Sequence, residues 1–214
     1  MTSAVSYTSL AGLGALGYLC GSWLSAITVC RLANVPDPRY QGSCNPGFSN
    51  VLRLYGRRLA LVTLLLDMCK GMPALWLTKL MGWSPWAQGL VGLGVLLGHS
   101  YPLWYRFRGG KAVASAFGVL LVLAPLVALC CALCWVVLAW RVRTAAVASL
   151  ASATLAPLLS FWLAPDYVLV IIGFALLVLV RHFWNILRLS RGMERPLTDH
   201  GRKGEVKLPE DEGQ

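Results

Sequence analysis

The chain has 214 residues, 57% hydrophobic and only 13% charged, with a mean hydropathy of +0.63. A water-soluble domain carries about 25% charged residues, so an ordinary soluble enzyme is excluded. The 19 Lys and Arg against 9 Asp and Glu give a formal charge of +10. In a soluble chain that excess would point to nucleic acid. Here the basic residues stand between long apolar runs, as in a multi-pass membrane protein with basic cytoplasmic loops, and no nucleic-acid partner is expected.

A spanning helix needs about 20 mostly apolar residues. Suitable runs cover 8–30, 59–80, 86–105, 112–140, 147–164 and 167–183. The first has no basic n-region before it and no small-residue cleavage site after it, so it reads as a span and not as a removed signal peptide. Between the first two runs, 36–58 reads PDPRYQGSCNPGFSNVLRLYGRR. Gly42-Ser43-Cys44-Asn45-Pro46-Gly47 is turn chemistry, and Ser49 or Asn50 is expected to cap a helix carrying Arg53. Glycine N–H groups, small hydroxyl and amide side chains and an arginine suit an oxyanion or phosphate cradle. A plain surface loop before a capped helix fits the same letters. In the second run Asp67 and Lys70 stand three residues apart, an intrahelical ion pair or a link between helices.

The third run contains Gly98-His99-Ser100-Tyr101-Pro102 near its end and is followed by Arg106-Phe107-Arg108-Gly109-Gly110-Lys111. A Gly-Gly-Lys turn opening a helix puts N–H groups and an ammonium at the positive end of the dipole, where anions bind. It is not a Walker A loop, because that spacing is absent. A basic anchor at the interface is the alternative.

The run 112–140 is too long for one untilted span and too short for two full ones, and Pro125 falls inside it. Basic residues cluster at 31–58, 106–111, 141–143 and 181–207, which together hold 17 of the 19. If all four clusters are cytoplasmic, an even number of passes must separate Lys111 from Arg141. This predicts a short segment near 112–122 and a fuller helix near 125–141, a short helix at membrane depth being tolerated inside protein. A single kinked helix would instead leave Arg141 and Arg143 outside. The expected fold is an all-α, seven-segment transmembrane helical bundle with one short segment, N-terminus outside and C-terminus cytoplasmic.

The last run ends in Arg181-His182-Phe183-Trp184-Asn185-Ile186-Leu187-Arg188, where His182, Asn185 and Arg188 recur at i, i+3 on one helix face. Interfacial residues at headgroup level are the plainer reading. Residues 1–198 form the integral-membrane domain, and 199–214 are expected to be a polar cytoplasmic tail. Cys130, Cys131 and Cys134 have no polar co-ligand near them, so neither a metal nor a cofactor is expected. If the helix ends converge, Arg53, Lys111 and His182, with Ser43, Asn45 and Asn185, form a cytoplasmic pocket suited to two anionic groups.

At these same places the chain resembles the bacterial acyl-phosphate-dependent glycerol-3-phosphate acyltransferase family. The resemblance lies in DPRYQGSCNPGFSNVLR at 37–53, GHSYP followed by FRGGK within 98–111, and RHFWNILRL with a later G-x-E at 181–194. Asp67-x-x-Lys70-Gly71 is similar to the family's second helix, and the likeness runs from about residue 17 to 196. It implies an inner-membrane enzyme that moves a fatty acyl group from acyl phosphate to the 1-hydroxyl of glycerol 3-phosphate. The products are lysophosphatidic acid and phosphate, in the first acylation of phospholipid synthesis. The implied catalytic positions are Ser43, Asn45, Arg53, Lys111, His182 and Asn185. The implied substrate-binding positions are Gly42, Ser49, Asn50, Gly109, Gly110 and His99. Contact with the soluble enzyme that makes acyl phosphate is implied by the family alone.

The sequence departs from the family pattern at Cys44 and Ala112 (glycine is usual), Phe48 (alanine), Ser49 and Ser115 (threonine) and Arg108 (lysine). Cys44, Phe48 and Ala112 add bulk where the donor pocket is expected. There is no G-x-S-x-G elbow, and neither His99 nor His182 has an acid four or five residues downstream. That agrees with direct attack on a mixed anhydride without an acyl-enzyme. An organophosphate transporter would need access from both faces and inverted halves. An inactive homologue would show lost motif residues, and all six are present.

Overall fold

The computed structural model describes residues 6–197, and every regular element among them is helical. The expected tail, 199–214, lies outside the described residues. The chain runs through α1 (Tyr7–Ser22), α2 (Ser25–Leu32), α3 (Phe48–Tyr55), α4 (Arg57–Cys69), α5 (Met72–Leu80) and α6 (Pro85–Ser100). It continues through α7 (Val113–Leu123), α8 (Pro125–Val142), α9 (Ala145–Leu163), α10 (Val168–Arg181) and α11 (Phe183–Ser190).

Four stretches are long and apolar enough to cross a membrane: Tyr7–Leu32, Arg57–Leu80, Pro125–Val142 and Ala145–Leu163. The pair Pro165–Arg181 and Phe183–Ser190, bent by 57° at His182, makes a fifth when the two helices are taken as one span. Several runs that read as continuous are broken. The first separates at Trp23 and Leu24, whose extended backbone frees the Trp23 carbonyl to accept from Lys70 Nζ at 2.9 Å. The second breaks at Lys70 and Gly71, because Pro73 has no N–H to continue the ladder. The third is helical only to Ser100, followed by a single 3-10 turn, Leu103–Tyr105. The division of 112–140 falls where Pro125 places it, with Ala124 between α7 and α8, and no kinked single helix forms.

Small residues set the closest packing. α1 lies along α6 through Gly17 and Gly21 on one helix and Gly94 and Gly98 on the other. A Cβ at Gly98 would overlap the Tyr18 carbonyl, so the backbones can approach this far only without side chains there. Gly118 does the same for α7 against Met68 of α4. The main core, including Leu75, Val91, Leu96, Val127 and Ile171, fills the space between α5, α6, α7, α8 and α10. Asp67 and Lys70 pair within this bundle at 2.9 Å and also tie α4 to α1 and α6, so both readings of that pair hold.

Candidate active site

The first polar stretch is held by a buried amide. Asn50 Oδ1 accepts from the Ser43 N–H at 2.9 Å, and its Nδ2 donates to the Pro38 and Gln41 carbonyls at 2.9 and 3.1 Å. With those groups engaged, Asn50, expected among the substrate-binding positions, braces the loop and is not among the residues that line the cavity described below. The expected helix cap is also different. Gly47 occupies the N-cap with no side-chain bond, and Ser49 and Asn50 lie inside the first turn of α3. α3 presents Arg53 in its last turn, where Nη2 donates to Ser43 Oγ at 3.1 Å.

The second stretch folds back on the end of α6. Gly110, expected among the substrate-binding positions, has its N–H engaged with the His99 carbonyl at 3.0 Å. Arg181 clamps the same turn, with Nε donating to the Gly110 carbonyl and Nη2 to the Gly109 carbonyl, each at 3.0 Å. Neither glycine lines the cavity. Instead Lys111, Ala112, Val113 and Ala114 do, bringing the uncapped start of α7 to the site. Its first N–H groups have no intrahelical acceptor.

The third stretch turns at His182. Its Nδ1 donates to the Val178 carbonyl at 2.8 Å, which leaves Nε2 as the acceptor of the neutral ring. Asn185, in the first turn of α11, accepts from Lys111 Nζ at 2.6 Å and donates from Nδ2 to Glu194 Oε1 at 2.7 Å. Arg188 Nε donates to Glu194 Oε2 at 2.9 Å. Sequence reasoning gave Glu194, Arg181 and Arg195 no role. Glu194 returns to Asn185 only because Gly192 turns the chain at φ +66°, a signal that the G-x-E spacing carried.

These side chains surround one cavity of about 400 Å³. Ser43, Asn45, Ser49, Arg53, Lys111, His182, Asn185 and Arg188 line it together with Gly42 and His99. Asp67, Glu194, Arg195 and Ser149 also border it, and most of the remaining wall is apolar, running past Leu64, Met68, Phe117, Leu121, Ala132 and Trp135. Phe48 packs edge-on against Trp135, with centroids 6.0 Å apart, so its bulk completes that wall. Cys44 and Ala112 both adopt left-handed backbone, at φ +56° and +58°, a conformation suited to the glycine expected at each. Burial pushes the Lys111 ammonium down to about 8. Glu194 opposes that change, while Arg188, Arg53 and Arg181 reinforce it. A cationic mouth above an apolar wall can hold phosphates beside an acyl chain.

The sequence model of the glycerol-3-phosphate acyltransferase family matches residues 11–192. The glycerol-3-phosphate acyltransferase of Chromohalobacter salexigens is 60% identical over 195 residues, covering 91% of this chain and 94% of that protein. That of Idiomarina loihiensis is 43% identical, covering 83% and 91%. The crystal structure of PlsY (YgiH), an integral membrane glycerol 3-phosphate acyltransferase in its glycerol 3-phosphate form, superposes with a TM-score of 0.81. It is 35% identical and covers 88% of this chain and 95% of that one. Its lysophosphatidic acid form gives 0.79 at 33% identity. With the family pattern matched along most of the chain and the polar stretches gathered around one cavity, the protein belongs to the glycerol-3-phosphate acyltransferase family.

Proposed function

We propose that this acyltransferase of glycerol 3-phosphate takes its acyl group from acyl phosphate. The 1-hydroxyl oxygen of the acceptor attacks the acyl carbonyl carbon, an ester C–O bond forms, and the C–O bond to phosphate breaks. The hydroxyl proton ends on the released phosphate, so lysophosphatidic acid and inorganic phosphate leave without a covalent enzyme intermediate. The observation that carries this reading is the joining of Arg53, Lys111 and His182 to one cavity that also has a long apolar wall.

Arg53 and Lys111 hold the acceptor's phosphate through charge-assisted bonds, with Ser43 beside them, while the accepting Nε2 of His182 takes a hydrogen bond from a hydroxyl of the acceptor. Ser49, Asn45 and the first N–H groups of α7 receive the departing phosphate. The second Nδ2 hydrogen of Asn185 faces the developing oxyanion, where one such donor is worth roughly 2.7–4 kcal/mol. Positioning two anions in one cup supplies much of the remaining barrier reduction.

Seven membrane segments follow from α7 and α8 forming an out-and-back pair. α7, with 11 residues, is about 16 Å long and lies among α4, α5, α6 and α8. The four basic clusters then face the cytoplasm, the N-terminus lies outside, and the enzyme belongs in the bacterial inner membrane. The soluble enzyme that makes acyl phosphate would deliver its product to this face. Steady-state kinetics of Arg53→Ala and Lys111→Ala test the phosphate roles. Each variant is expected to raise the acceptor KM, and unchanged acceptor KM and turnover in both would reject the assignment.

A further inference from the structure

A group of buried charges at one edge of the cavity, with Asp67 and His99 on its lining, has no role in the reaction described. Asp67 of α4, Lys70 at its end and His99 of α6 are 1%, 8% and 3% exposed. Lys70 Nζ donates to Asp67 Oδ1 at 2.9 Å, to the Trp23 carbonyl at 2.9 Å and to His99 Nδ1 at 2.7 Å. Three N–H groups on three acceptors exhaust the ammonium, and an accepting Nδ1 leaves the ring proton on Nε2. That ring edge lies against Gly110, where a Cβ would overlap Nε2. The His99 carbonyl accepts the Gly110 N–H, and a Cβ at Gly109 would overlap the same carbonyl. His99 therefore supports the glycine turn with its ring and its main chain at once. An ion pair that served helix packing alone would be complete with Asp67 and Trp23. The third N–H of Lys70 goes to the imidazole that touches the turn.

We propose that Asp67 and Lys70 are positioning residues for acceptor binding. They fix His99, His99 fixes the Gly109–Gly110 turn, and the turn sets Lys111 where its Nζ meets Asn185 Oδ1 at 2.6 Å. The inference rests on the reading of Lys111 as a ligand of the acceptor's phosphate, and it assigns that ligand's placement to charges on a different helix.

The test is a double-mutant cycle on the purified full-length enzyme, with acyl phosphate as donor and glycerol 3-phosphate varied. Lys70→Met is expected to raise the acceptor KM ~10- to 100-fold, more than it lowers kcat, as a small displacement of a binding group does. Lys70→Met with Lys111→Ala is expected to bind no worse than Lys111→Ala alone, since both changes remove one contact. Lys70→Met leaves Asp67 without its counter-ion and risks the fold. His99→Asn therefore carries the same cycle, because it keeps the Asp67–Lys70 pair and an amide oxygen for the third N–H. An unchanged acceptor KM in His99→Asn overturns the inference. So do KM effects that multiply in the cycle when Lys111→Ala alone raises KM, and in that case the phosphate role of Lys111 stands. An unchanged KM in Lys111→Ala removes both.

Discussion

At the residue scale, the polar groups of an apolar chain were conspicuous, and that is why Ser43, Asn45, Arg53, Lys111, His182 and Asn185 could be singled out before any coordinates. What the letters did not carry is the direction of each side chain. Asn50 and the two glycines stand in the same motifs as the cavity residues, yet they brace the loops. Their direction is fixed by turns at Gly42, Cys44 and Ala112, whose left-handed backbone only the folded chain reveals. Two outcomes belong here. Cys44→Gly and Ala112→Gly relieve left-handed backbone at a non-glycine residue, each expected to stabilise the protein by about 1 kcal/mol. Thermal unfolding checks this as a raised Tm. The second outcome concerns Lys111, which burial holds down at about 8 while Glu194 opposes and Arg188, Arg53 and Arg181 reinforce the change. Below that pH the ammonium is present. Above it the free enzyme must take up a proton to bind the acceptor's phosphate. The acceptor KM should be flat below about pH 8 and rise about tenfold per unit above it. A pH series of acceptor KM, compared with Lys111→Arg, measures this.

At the element scale, Pro125 announced a break by removing an N–H donor, and the division of α7 from α8 was legible for that reason, whereas Pro73 falls in a run, 59–80, that reads as continuous. The bend at His182 has no proline. It arises where the His182 N–H shares the Val178 and Leu179 carbonyls and the ring takes the Val178 oxygen, so nothing local in the letters predicted it. The close contact of α1 with α6 gives a sharper test. Gly98→Val drives a side chain into the Tyr18 carbonyl and is expected to cost at least 1–3 kcal/mol. Gly12→Ala meets open space on the same helix pair's outer side and should be tolerated. Yield of monodisperse protein and Tm for the two variants distinguish packing from mere apolar content.

At the scale of the whole molecule, the proposed topology joins charge bias along the chain to the helical architecture: with α7 and α8 running out and back, 106–111 and 141–143 would share a face. Thiol labels at positions 108 and 143, in a background with the native cysteines replaced, should react from the same side of intact cells' membranes. Labelling from opposite sides would return α7 and α8 to a single pass. The convergence of three distant stretches could be inferred only from their shared chemistry, since no local pattern in the sequence brings 53, 111 and 182 together. Those three positions now line one cavity, with an apolar wall below.

The central claim is direct transfer from a mixed anhydride held in that cup. Purified enzyme should be given glycerol 3-phosphate with either acyl phosphate or an acyl thioester, and inorganic phosphate and lysophosphatidic acid followed together. Acyl phosphate alone is expected to support turnover, with one phosphate released per lysophosphatidic acid and no burst of labelled enzyme. Turnover with the thioester while acyl phosphate stays inert, or acyl label held covalently on the protein, would contradict it.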